Sequence, residues 1–200
     1  MKNNQSKLEY QFRITLDTDF EGRGRRKPYR EIAVLESQSL STLARAAVSS
    51  FGFDFDHCYG FYDNFKDPYD SSEIYELFTD IGEEPTEGAL GVTHVKIPKA
   101  FDEVGKNLSF LFDYGDNWWP TVELTDIKPS AKDTKYPKLL RSVGPAPVQY
   151  PAVDEEESPN GAEEDKEWFH PDCKMCQELK KQGVEMQWFP DEPPKNPTIH

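Results

Sequence analysis

The sequence predicts an α+β domain whose mainly antiparallel sheet packs on one amphipathic helix. Three observations carry that expectation. Near the N-terminus Tyr10, Phe12, Ile14 and Leu16 alternate with Gln11, Arg13 and Thr15, the period of a half-buried strand. In "SLSTLARAAVSSFGF", Leu40, Leu43, Ala44, Ala47, Val48 and Phe51 recur at helical spacing. Finally, "NLSFLFDYGDNWWPTVEL" sets two alternating aromatic segments around a glycine-containing turn.

The first strand is "LEYQFRITLD". A basic, glycine-punctuated connection, "FEGRGRRKP", is long enough to return the chain antiparallel into "YREIAVLE", with Ile32 and Val34 facing inward. The helix follows, with Ser39 as N-cap and Gly52 just past its end. "DHCYGFYD" reads as a short strand and "SSEIYELFTDIGEEPTEGALG" as an excursion with weak signals. A strand at "VTHVKI" and a helical turn around "KAFDEVGK" lead into the hairpin.

In the hairpin, a three-residue loop of Gly115, Asp116 and Asn117 would set Tyr114 opposite Trp118. Leu108, Phe110, Phe112 and Tyr114 then share a face with Trp118, Pro120, Val122 and Leu124. The other face shows Asp113, Trp119 and Glu123. Pro120 cannot donate to a ladder, so its strand is expected at an edge or at a bulge.

Charge divides the chain. Of 200 residues, 23 are Lys or Arg and 37 are Asp or Glu, a net charge of −14 that disfavours general binding to nucleic acid or to an anionic membrane. Between Asp154 and Glu167, "DEEESPNGAEEDKE" holds eight acids and one lysine, too polar to offset its ordering entropy. The expected organisation is a folded domain over 8–150, an acidic flexible linker over 151–167, and a short tail over 168–200 that ends in a proline-rich stretch. No run is apolar and long enough to cross a bilayer. With no signal peptide and only Cys58, Cys173 and Cys176, the expected setting is cytoplasmic, with reduced thiols and no membrane partner.

Three groups of residues are candidates for function. Asp113, Asp116, Trp119 and Glu123 form a candidate surface site. The carboxylates among them would serve a divalent-metal-dependent enzyme of nucleic-acid metabolism if they converged, whereas ordinary turn chemistry has Asp113 or Asp116 bonding loop amides. In the tail "HPDCKMC", His170, Cys173 and Cys176 lie at successive spacings of three. That set suits zinc with a fourth ligand, and it equally fits inert thiols or a redox pair. Arg23, Arg25, Arg26, Lys27 and Arg30 are a candidate phosphate contact with Tyr29 to stack, the one local route to nucleic acid; the competing reading is a solvated hairpin tip. His57 and His94 read as structural.

"YQFRITL", "YREIAV", "LSTLARAAVSSFGFDFDHCYGF", "LSFLFDYGDNW" and "YPKLL" occur in an order that resembles the plasmid pRiA4b ORF-3-like family, which also includes passenger proteins of transposable elements. The resemblance covers roughly residues 8 to 140 and implies an α+β fold without an established activity. It departs in two places: Trp119 and Pro120 stand where members carry a polar stretch with a histidine, and "GPAPVQYPAVDEEE" replaces a glycine-rich Pro-Pro-Glu-Asp segment. Together these features point to a non-enzymatic interaction or accessory module with an unknown protein partner and a link to mobile genetic elements.

Overall fold

The computed structural model describes residues 7–16 and 27–150. It is a mixed α+β fold with one eight-stranded sheet and few helices. Strands β1 (Leu8–Leu16) and β2 (Tyr29–Leu35) form an antiparallel pair in which Phe12 faces Ile32. Their alternating apolar residues are buried, as the period of two requires.

Helix α1 (Leu40–Ser50) begins at Ser39, whose side chain accepts from the Thr42 amide, and closes through Phe51 and Gly52, the latter at φ +79. Ala47 and Val48 on its buried side meet Ile14, Phe110, Phe112 and Trp118 of the sheet. The segment expected as a strand at "VTHVKI" has another task. The carbonyls of Val92 and Val95 accept from the Ser41 and Leu40 amides, which have no partner inside the helix, so this stretch caps α1, and its bridge between Lys96 and Ser39 stays isolated.

Strand β3 (Tyr59–Tyr62) matches its expectation. The weakly patterned excursion contains β4 (Ile74–Glu76), α2 (Leu77–Ile81) and β5 (Leu90–Gly91), followed by a single helical turn, α3 (Ile97–Ala100). The hairpin strands are β6 (Asn107–Phe112) and β7 (Pro120–Pro129), and β8 (Lys138–Val143) completes the sheet. The strand order is β5-β4-β3-β6-β7-β1-β2-β8, and every pairing is antiparallel except that of β4 with β5.

Pro120 is therefore not on an edge strand: β7 lies between β6 and β1. It is tolerated because it is the first residue of β7, where the β6 ladder lapses between the Ser109–Thr121 pair and the Phe112–Trp118 bridge. A bulge at Thr125 adjusts β7 against β1, with the Thr125 hydroxyl donating to the Gln11 carbonyl at 3.0 Å. Among the described residues no helix is long and apolar enough to cross a membrane.

Candidate functional site

The hairpin turn is longer by two residues than the sequence suggests. Phe112, not Tyr114, pairs with Trp118 through reciprocal backbone bonds of 2.9 and 3.0 Å, leaving Asp113–Asn117 as the loop. The strand residues up to Phe112 and from Trp118 onward keep their expected faces, but Tyr114, expected beside Phe112 and Trp118, packs with Leu111 and Trp119 on the other face. Asp113 and Asn117 both adopt left-handed backbone conformations, at φ 60 and 57, and the Asn117 amide donates to the Asp113 carbonyl at 2.7 Å. Asp113 Oδ1 accepts from the amides of Gly115 (2.9 Å) and Asp116 (3.2 Å), an Asx turn that holds the loop.

Asp113, expected on an outer face, is buried. Its amide donates to the Cys58 carbonyl, and its Oδ2 lies 3.6 Å from His57 Nδ1, which sits 2.8 Å from Asp56 Oδ1. The half-exposed His57 ring thus stands between two carboxylates, edge-on to Phe112. The sequence reading separated these groups because 55 residues lie between His57 and Asp113. The hint was that both belong to the motifs carrying the family resemblance.

Behind the turn is a second core on the other face of the sheet. Tyr62, Ile74 and Leu111 are buried there, with Ala89, Tyr114 and Trp119 packed on them. Trp119 is accordingly half-buried against Tyr62, at 6.4 Å between ring centres, and not the exposed indole of a sticky face. Inside this core Tyr62 donates to Glu76 Oε1 at 2.8 Å, and the single proton of that phenol leaves Tyr114 to donate to Tyr62 at 2.8 Å. Thr86 supplies its amide and hydroxyl to the same carboxylate at 2.8 and 2.7 Å. Burial, with Tyr114 and Glu76 alongside, pushes the Tyr62 phenol well above its ordinary range, and burial does the same to Tyr114. Gly60 makes room for the pair: a Cβ there would lie 2.7 Å from the Tyr62 hydroxyl and 3.0 Å from that of Tyr114.

The remaining carboxylates lie elsewhere. Asp116 is exposed at the loop tip. Glu123 pairs with Asn107 at the opposite end of the hairpin and is the first member of a row across four strands, Glu123, Arg13, Glu31 and Arg141. Charge alternates along that row, and Arg13 reaches Glu31 at 2.9 Å. The structure therefore brings Asp113 to Asp56 and His57 and does not bring Asp113, Asp116 and Glu123 to one point.

The profile of the plasmid pRiA4b ORF-3-like proteins matches residues 9–149. The chain belongs to this family. No curated protein matches it. A crystal structure of a protein of unknown function from Methanosarcina mazei Go1 is similar, with a TM-score of 0.55 and 17% identity over 69% of this chain and 71% of that one. At that identity the likeness concerns the fold.

In this pRiA4b ORF-3-like chain the basic candidates divide. Arg30 is buried, a correction to its reading as a phosphate contact: its guanidinium donates to the carbonyls of Ser50, Tyr29, Val143 and Gly144 and stacks 4.3 Å from the centre of the Phe51 ring. Burial pulls its pKa below the usual arginine range. Lys27 is exposed, whereas Arg23, Arg25, Arg26, His170, Cys173 and Cys176 lie outside the described residues, as do the linker and tail. Tyr29 is flanked by Arg13 at 4.9 Å and Arg141 at 5.8 Å from its ring centre.

Sequence reasoning missed a basic stretch leading into β8. Residues 127–144 carry five exposed cations against Asp133 alone: Lys138 and Arg141 are on β8, Lys132 and Lys135 are in the connection before it, and Lys128 is on the interior strand β7. Leu139 and Leu140 lie between Lys138 and Arg141, each 38% exposed. A local net-charge count over 127–144 would have found it.

Proposed function

We propose that this family member is a non-enzymatic interaction module that engages a protein partner through the β8 margin. One observation carries the reading: two exposed leucines flanked by cations, on a terminal strand of the sheet, in a chain of net charge −14. The hairpin tip supports it by contrast, because its distinctive side chains are engaged with one another. The family description names a plasmid, which supports a link to mobile genetic elements.

The test is a photo-crosslinking residue placed at Leu140, and separately at Asp116, in the full chain expressed in its host. A discrete protein adduct at Leu140 that is absent at Asp116 and weakened by Arg141→Glu is expected. Adducts at Asp116 alone would overturn the choice of surface. For the tail we propose zinc on His170, Cys173 and Cys176, which native mass spectrometry would register as about one zinc per chain, lost in Cys173→Ser.

A further inference from the structure

The two ends of the sheet carry opposite charge. At one end β5 is terminal, and the loop before it presents Glu83, Glu84 and Glu87, all exposed, beside Leu90 at 45% exposure. Residues 67–95 contain eight acids and no lysine or arginine. At the other end is the β8 margin with Lys138, Arg141 and two leucines, preceded by Lys132 and Lys135 in the connection that leads into the strand. Glu83, Glu84, Glu87, Lys132 and Lys135 make no ion pair among the described residues.

We infer that the partner of the β8 margin is a second copy of this chain, presenting its acidic β5 margin. The inference rests on the reading of β8 as the contact surface. Charge selects the pairing: β8 against β8 is repelled, β5 against β5 is repelled, and only β8 against β5 is attracted. Leucines on both margins supply apolar contact within the charged rims.

Backbone pairing adds little. Leu140 is the extra residue of a bulge opposite Glu31 and Ile32, and β5 is only two residues long, so side chains do the recognising. A contact between unlike surfaces is heterologous and does not close on itself unless the rotation forms a ring. With β8 at six residues, about 20 Å, the contact falls in the small, reversible class.

Sedimentation velocity on three full-length proteins tests this: the wild type, a basic-margin variant (Lys132→Gln with Lys135→Gln) and an acidic-margin variant (Glu83→Gln with Glu84→Gln). The wild type is expected to associate beyond a dimer at low salt, with association at least about tenfold weaker at high salt. Each variant alone should stay monomeric. Their mixture should pair one to one and grow no further, because each retains the margin the other lacks.

Matching thermal melts establish that the variants fold, and Leu140→Ser provides an independent lesion of the same margin. Association of a variant alone at wild-type strength, a mixture that stays apart, or a wild type that is monomeric at every concentration overturns the inference. If the wild type is monomeric while Leu140 still crosslinks to a different protein, self-association falls and the interaction module stands.

Discussion

At the hairpin tip, Asp113 is buried, its carboxylate holds two loop amides, and its backbone amide donates to the Cys58 carbonyl just before β3. At the β8 margin, Lys138, Leu139, Leu140 and Arg141 are all exposed on the last strand of the sheet. The first region has a distinctive sequence and inward-directed chemistry; the second has an ordinary sequence and outward-directed chemistry. A left-handed turn and a buried polar network restrict residue choice severely, whereas a contact surface needs only exposed charge and apolar area. Distinctive residues here mark what the fold demands.

Substitutions at the two regions should therefore separate stability from contact. Asp113→Ala removes the carboxylate that accepts two amides and leaves a β-carbon residue in the left-handed region; a loss of about 3 kcal/mol in urea unfolding is expected. A loss below about 1 kcal/mol would mean that the turn is held by other groups. Tyr62→Phe takes one of three donors from the buried Glu76 carboxylate and strands the Tyr114 hydroxyl, costing about 2 kcal/mol in the same measurement.

A smaller effect is expected at Glu9, which is buried and accepts from the Tyr136 hydroxyl. Burial alone would raise its pKa, but hydrogen bonds from Tyr136 and Gln11 and the charge of Lys128 outweigh this and hold it below the usual carboxylate range. A depressed folded-state pKa contributes stability that is present above the unfolded value and is lost as pH falls through the folded one. Asp63 is displaced in the same direction, where hydrogen bonds from Ser72, Glu73 and Ser71 overcome its burial. Stability should thus decline below about pH 4, and Tyr136→Phe should cost about 1 kcal/mol at neutral pH and shallow the acid limb. Smallest of all, Asp116→Ala and Leu140→Ser should each stay within about 0.5 kcal/mol of wild type, with Leu140→Ser alone weakening the contact.

The strands with a clean period were legible: Tyr10 to Leu16 and Ile32 to Val34 reveal their buried face through alternation, and Ser39 and Gly52 bracket α1 by their chemistry. The faces of the paired hairpin strands were legible too, but the turn was not: Asp113 is left-handed as well as Asn117, which carries Tyr114 to the face of Leu111 and Trp119, and nothing local states this. β4 and β5 were not legible: two or three residues cannot display a period, and they are strands because β3 pairs β4 and β4 pairs β5. Arg30 looked like part of a basic surface because its carbonyl partners at Val143 and Gly144 are more than a hundred residues away. The link between His57 and Asp113 is hidden for the same reason, as both positions are set by the β3–β6 pairing.

The place of β1 in the sheet has a consequence for synthesis. It lies between β2 and β7, and Leu8 pairs with Pro129. As the chain emerges from the ribosome, β1 and β2 pair at once, but the other edge of β1 waits for a strand encoded more than a hundred residues later. At about 5–20 residues per second the nascent chain carries an unprotected apolar strand edge for several seconds at least. During that interval the growing polypeptide most needs a holding chaperone, and its codons between β2 and β7 would be the poorest place for a translational pause.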